Sequence, residues 1–237
     1  MATQKNHHHE HHYKEKDRHL VAVDSIIFGF DKEKLQILLI KRNFEPCLGE
    51  WSLMGGFLKK EESLDDAATR VLYRLTGLKN VYLEQLYTYG DLNRDPGARV
   101  LSTAYFALID IEKYQEQLSD RYNAKWWDIE KFPDLIFDHN QMVDRALRRL
   151  QRRTRNQPIG FELLPEKFTI PQLQALYEAI HRREMDKRNF RKKILSYDFL
   201  DRLEEKDKSN SKKGAFLYKF NEKKYKELVQ RGYSFEI

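Results

Sequence analysis

From residue 19 onward, apolar positions recur with two different periods, and each switch of period marks an element boundary. HLVAVDSIIFGF and KLQILLIKRN are dense in β-branched and aromatic residues and are separated by the polar FDKEK, which predicts two strands and a short turn. A loop through Pro46 and Gly49 leads to WSLMGGFL and then to SLDDAATRVLYRLTG, where Leu64, Ala67, Ala68, Val71, Leu72 and Leu75 return at helical spacing. Ser63 is placed to cap this helix, Asp65 and Asp66 complement its dipole, and Gly77 stands at its C-terminal cap. VYLEQLYTYGD and RVLSTAYFALID predict two further strands around the turn formers Asn93 to Gly97. AKWWDIEKFPDL predicts a short strand and loop, and DHNQMVDRALRRLQRRTRN a basic amphipathic helix ending before Pro158. These elements make a mixed α/β domain over residues 19–156.

Residues 157–237 follow a different order. FTIPQLQALYEAIHRR places Thr169 and Gln172 at capping-box spacing with a proline in the first turn, and Leu173, Leu176, Tyr177 and Ile180 share one face. A second helix, DKRNFRKKILSY, starts at Asp186 after a tight turn and buries Phe190 and Ile194. FLDRL and AFLYKF read as short strands on either side of EEKDKSNSKKG, a polar and flexible connection, and NEKKYKELVQRG closes the chain as a helix. Two helices, a hairpin with a basic tip and a last helix predict a winged helix-turn-helix.

Charge sharpens this division. Residues 151–237 hold 21 Lys and Arg against 13 Asp and Glu, whereas residues 1–150 hold 22 against 24. A basic C-terminal half attracts polyanions, chiefly nucleic acid, with a solvated Lys- and Glu-rich face as the plainer reading. Residues 1–18 are polar and carry five of the eight histidines, a pattern of disordered tails and tags that also has the donors to chelate a transition metal. No apolar stretch approaches a membrane span or the core of a signal peptide, which predicts a cytoplasmic protein without membrane contact. Cys47 is the single cysteine and is assigned no role.

The chemistry is concentrated between Gly56 and Leu78. This segment resembles the Nudix box, whose form is a glycine, five residues, Glu, seven residues, then Arg-Glu-apolar-x-Glu-Glu-x-Gly-apolar. Gly56, Glu62, Arg70, Leu72, Gly77 and Leu78 fall in register, and the resemblance extends over roughly Val21 to Asp128. The three helix glutamates that bind magnesium and activate water in that family are replaced by Val71, Arg74 and Leu75. A hard dication needs clustered oxygen ligands and a general base needs a carboxylate. The resemblance therefore implies an α/β Nudix-like sandwich without catalytic residues, metal or cofactor, in which Glu62 pairs with Arg70 or Arg74. An active hydrolase of nucleoside diphosphate derivatives is the rival that the missing carboxylates argue against.

With both halves considered, the chain is similar to the NrtR family of bacterial repressors from residue 19 to its end. The resemblance implies a Nudix-like ligand-sensing domain over residues 19–156 and a winged-helix DNA-binding domain over 157–237. It also implies a homodimer that holds a palindromic double-stranded operator until a small molecule binds the Nudix-like domain. ADP-ribose is the effector in the branch that controls NAD metabolism, and a pentose such as L-arabinose in the branch of arabinose regulators of gut anaerobes, which KRNFEPCLGEWSLMGGFL and DPGARVLSTAYFALI resemble more. Arg188, Asn189 and Lys192 are the expected base readers. Lys187, Arg191 and Lys193 are expected on phosphates, Lys212 and Lys213 with Lys206 or Lys208 on the wing, and Arg152, Arg153 and Arg155 as a basic approach. Asp24, Lys41, Arg42, Glu50, Trp51, Asp95 and Arg99 are the expected effector contacts. A basic module in which DKRNFRKKIL docks an acidic partner is the remaining rival, distinguished from DNA binding by its weak salt dependence.

Overall fold

The computed structural model describes residues 17–114, 123–157, 160–209, 213–232 and 235. The histidine run of the N-terminus and Lys212 lie outside the described residues. Strand β1 (Leu20–Phe30) is the axis of the first domain. It runs parallel to β6 (Val100–Asp110) along its whole length. On its other edge it is antiparallel to β2 (Leu35–Lys41) over residues 27–30 and to β4 (Met54–Phe57) over residues 22–25. β3 (Trp51–Ser52) and β7 (Ala124–Asp128) pair with β2, and β5 (Glu84–Tyr89) pairs with β6.

Successive side chains of a strand point to opposite faces, and in β1 both faces are buried. Ile26, Phe28 and Phe30 meet α3 (His139–Asn156), while Val23 and Ile27 face α1 (Leu64–Thr76) through Ala67, Ala68, Val71 and Leu72. The result is the expected α/β sandwich. α1 has the predicted ends: the Ser63 hydroxyl accepts from Asp66 N at 3.1 Å, Asp66 returns the bond to Ser63 N, and Gly77 takes the left-handed conformation at φ 79°. A four-residue helix α2 (Ile111–Tyr114) after β6 has too few turns to leave a periodic signal.

The second domain contains α4 (Ile170–His181), capped by Thr169 and Gln172, and α5 (Lys187–Ser196), capped by Asp186. A three-stranded sheet in the order β8 (Phe168–Thr169), β10 (Ala215–Phe220), β9 (Leu200–Asp207) and a last helix α6 (Glu222–Gln230) complete a winged helix-turn-helix. Two details depart from the sequence reading. Glu204 to Asp207, expected as flexible connection, continue β9, where the Lys206 ammonium and the Arg202 guanidinium lie 4.5 and 4.7 Å over the Phe216 ring across the ladder. Phe168 and Thr169 form a third strand before acting as a helix start, since Thr169 supplies both a ladder position and a cap. A 3-10 turn, Phe161–Leu163, lies between α3 and β8, with Phe161 stacked on Phe220 at 4.4 Å.

One continuous buried cluster runs from Phe28 and Leu39 of the sheet through Met142, Val143 and Leu150 of α3 to Leu173 and Tyr177 of α4. Leu150 is fully buried in it. Leu150→Ala is expected to lower unfolding free energy by about 2–5 kcal/mol, measured by denaturant titration, because a cavity in a close-packed cluster collapses only partly; a loss below about 1 kcal/mol would show that the two domains do not share this core.

Candidate functional site

At the Nudix-type box, glycine governs the backbone. Gly55 pairs with Asp24 in the β4–β1 ladder, and a Cβ there would lie 2.2 Å from Asp24 Oδ1, so no other residue fits without displacing that carboxylate. Val71, Arg74 and Leu75 occupy the three helix positions where the Nudix pattern has glutamate. Val71 is fully buried against Val23 and Tyr105, Leu75 is partly buried in the same layer, and Arg74 is exposed with its guanidinium beside Gly56. Glu62 is clamped by Arg70, which donates to it through Nε at 2.7 Å and Nη2 at 2.5 Å and also reaches the Phe57 carbonyl. These bonds hold the Glu62 carboxyl down at about 2. Among the described residues no group of three or more His, Cys, Asp or Glu is arranged to hold a metal ion.

The predicted effector contacts gather at one end of the sheet in two layers. Asp24 is buried and accepts from the Ser102 hydroxyl at 2.5 Å. Beside it lie Arg94, Asp138 and His139, none of which the sequence reading named. Arg94 donates two parallel bonds to Asp138, at 2.8 and 2.7 Å, and its Nη2 is 3.7 Å from Asp24. His139 Nδ1 accepts from Leu53 N at 3.2 Å, which places the proton of the neutral ring on Nε2, 3.6 Å from Asp24. Burial pushes the His139 pKa down against the opposing fields of Asp24 and Asp138. Arg94 and Asp138 are 44 residues apart, so the only local signal was the position of Asp138 before a helix.

The outer layer is more exposed. Arg42 lies 3.7 Å over the Phe44 ring and donates to the Phe44 and Pro46 carbonyls, bracing the loop that ends at Glu50. Lys41 covers Trp51, which meets Trp127 edge to face at 5.2 Å. Arg99 donates to the Gly90 and Asp91 carbonyls and Asp95 accepts from Gly97 N, so both hold the facing loop. A Cβ on Gly97 would lie 3.8 Å from Pro46, which brings the two loops together. Glu50 itself is exposed and its carbonyl accepts from Arg42 N.

In the winged helix, Lys187, Arg188, Asn189, Arg191, Lys192 and Lys193 are all exposed on α5, opposite the buried Phe190 and Ile194. Lys206, Lys208 and Lys213 are exposed along the wing. Arg152, Arg153 and Arg155 lie on α3, the basic helix that the sequence predicts, and Arg153 is turned to the sheet by an ion pair with Glu84.

Comparison with known proteins accords with this geometry. Residues 18–150 match the NUDIX domain family, and residues 160–220 match the NrtR DNA-binding winged helix domain. The ADPR responsive transcriptional repressor NtrR of Acinetobacter baylyi is 35% identical over 205 residues, spanning 85% of this chain and 82% of that protein. The crystal structure of Shewanella oneidensis NrtR complexed with a 27mer DNA superposes with a TM-score of 0.77 at 29% identity, covering 91% of this chain and 97% of that one. The NUDIX domain of the same protein complexed with ADP ribose gives a TM-score of 0.50 at 33% identity, covering 58% and 92% of the two chains. A Nudix-type domain joined to this winged helix defines a DNA-binding transcriptional regulator. The chain belongs to the NrtR family.

Two measurements follow from the site. Arg94→Met strands the half-buried Asp138 and the buried Asp24 carboxylates and should cost about 3–5 kcal/mol in denaturant titration, much of it regained in Arg94→Met/Asp138→Leu; equal losses in both variants would contradict a paired charge. The depressed Glu62 carboxyl contributes stability above its ordinary pKa of 4.5, and that contribution is lost as pH falls towards about 2. The melting-temperature gap between wild type and Glu62→Gln should therefore be constant above pH 5 and close below it; a gap independent of pH would place Glu62 outside the ion pair.

Proposed function

We propose that this chain is a transcriptional repressor that binds an inverted-repeat operator as a homodimer and is released by ADP-ribose held, unhydrolysed, in the Nudix-type domain. The observation that carries the reading is a Nudix scaffold in which Val71, Arg74 and Leu75 stand where metal-binding carboxylates would be, on one chain with a winged helix that exposes a cationic face. Binding without turnover is what such a scaffold supports, since fold and chemistry are separable.

ADP-ribose is favoured over a pentose by two relatives, one a repressor responsive to it and one a NUDIX domain complexed with it. At this end of the sheet Lys41 and the remaining N–H groups of Arg42 and Arg99 suit a diphosphate, with Trp51 and Phe44 as apolar surfaces and the exposed Glu50 for hydroxyl groups, while Asp24 and Asp95 are already engaged by Ser102 and Gly97. L-arabinose, raised by the sequence resemblance, has no counterpart among these relatives. On the DNA side, Arg188 and Asn189 at the start of α5 read guanine and adenine edges together with Lys192, and Lys187, Arg191, Lys193 and the wing lysines Lys212 and Lys213 hold phosphates. Arg153 is left out of the set because Glu84 engages it.

In a thermal-shift panel without divalent metal, ADP-ribose should raise the melting temperature while L-arabinose and other pentoses leave it unchanged, because only a ligand of the folded state stabilises it. A pentose-only shift would move the protein to sugar control, and release of phosphate products on adding magnesium would make it a hydrolase. For the DNA half, Arg188→Ala should lose about 1–3 kcal/mol of discrimination at one operator position while its salt dependence stays near that of wild type. Undiminished discrimination would remove α5 from the major groove.

A further inference from the structure

Outside the winged helix, α3 presents a row of cationic side chains to solvent. Arg148, Arg152 and Arg155 stand at i, i+4 and i+7 of α3 and all are exposed, which puts them within roughly 60° of one another on the helix at 100° per residue. The neighbouring arginines of α3 are engaged: Arg145 lies 3.9 Å over the Tyr87 ring, Arg149 is 3.4 Å from Glu84, and Arg153 pairs with the same carboxylate. Among the described residues the three arginines of the stripe make no ion pair or hydrogen bond. Asp144, the one acid of this helix, shares their face and is not paired with Arg148. Like charges one turn apart disfavour a helix, and among the described residues no ion pair neutralises the stripe.

The stripe leads to the winged helix. Gln151 Nε2 donates to the Ile180 carbonyl at 2.9 Å, and Thr154 Oγ1 meets His181 Nε2 at 3.0 Å, docking the last turns of α3 on the end of α4. His181 feels Arg155 from α3 and Arg183 from the turn into α5: burial first, then these two guanidinium groups, hold its pKa down to about 4. The cationic surface therefore continues from α3 to the segment immediately before the recognition helix.

We propose that this arginine stripe is a second DNA-backbone contact, in which Arg148, Arg152 and Arg155, continued by Arg183, take phosphates beside the base pairs that α5 reads. The inference rests on the DNA-binding reading above and extends it to the effector-binding domain. Along α3 the three side chains are spaced by about 6 and 4.5 Å, and duplex DNA offers a phosphate charge every ~1.7 Å of its axis, so each planar guanidinium has an acceptor within reach. Such contacts hold register and add affinity without reading sequence.

The test uses the full-length protein, a duplex that the wild type has selected from a random pool, and a scrambled duplex of equal length. Fluorescence anisotropy across a salt series gives the slope of log affinity against log salt. Each phosphate contact removed flattens that slope by about 0.9, so Arg148→Gln/Arg152→Gln/Arg155→Gln should be shallower than wild type by about 2.7. The ratio of selected to scrambled affinity should stay the same, and lysine at all three positions should restore the slope. Arg152→Gln alone, shallower by about 0.9, gives the same reading with the helix least disturbed. An unchanged slope overturns the inference and leaves the function standing. A collapsed ratio in variants that melt like wild type overturns it by making the arginines base readers. A wild-type protein that selects no duplex overturns the function and the inference together.

Discussion

Burial of one face of α3 holds the two halves of the molecule in a single core. Met142, Val143, Ala146, Leu147 and Leu150 are buried together with strand residues of the first domain and helix residues of the second, so neither half presents a finished surface without this helix. Its two ends are fixed by polar bonds. Asp138, just before its first turn, gives its carboxylate to Arg94 in place of a backbone cap, and Thr154, near its last turn, meets His181 of α4. An 18-residue helix is about 27 Å long, and this one spans from the Asp24 cluster to the helix-turn-helix without a break. Under the proposed function, a change at the Asp24 end is applied to one continuous helix whose other end is docked on the winged helix.

The exchange of carboxylates in α1 has a structural side as well as a chemical one. Glutamates aimed at a metal must remain at the surface of the helix, with their charges balanced by the ion. Val71 instead fills the layer beside Val23 and Tyr105, and Leu75 lies against the same layer. The apolar face of α1 is widened by the substitutions that remove the metal ligands. The surviving Glu62 is retained as a partner of Arg70, which ties the loop before α1 to the helix through the Phe57 carbonyl.

Much of this was legible in the sequence because the deciding interactions are local. The Ser63–Asp66 and Thr169–Gln172 boxes, the Gly77 cap and the unbroken apolar run of β1 are local signals, and the box spacing from Gly56 to Leu78 names its own departures. What stayed hidden depends on contacts far apart in sequence. The Arg94–Asp138 pair and the His139–Leu53 bond join loops and helix ends that no periodicity relates. Arg153 reads as one of six basic residues in a run and differs from Arg152 only because Glu84 lies on its side of the helix. The charged end of β9 looks like loop because its strand character comes from its partner across the ladder, not from its own residues.

The central claim is that occupation of the Nudix-type domain, without turnover, is coupled to DNA binding. It is tested most directly by titrating ADP-ribose, with a chelator present, into the complex of full-length protein and its selected duplex while following both the free DNA and the nucleotide. The account predicts that DNA is released in a saturable manner and that the ADP-ribose is recovered intact, with the duplex reciprocally weakening the nucleotide's affinity. A complex that persists at nucleotide concentrations saturating the free protein would contradict it.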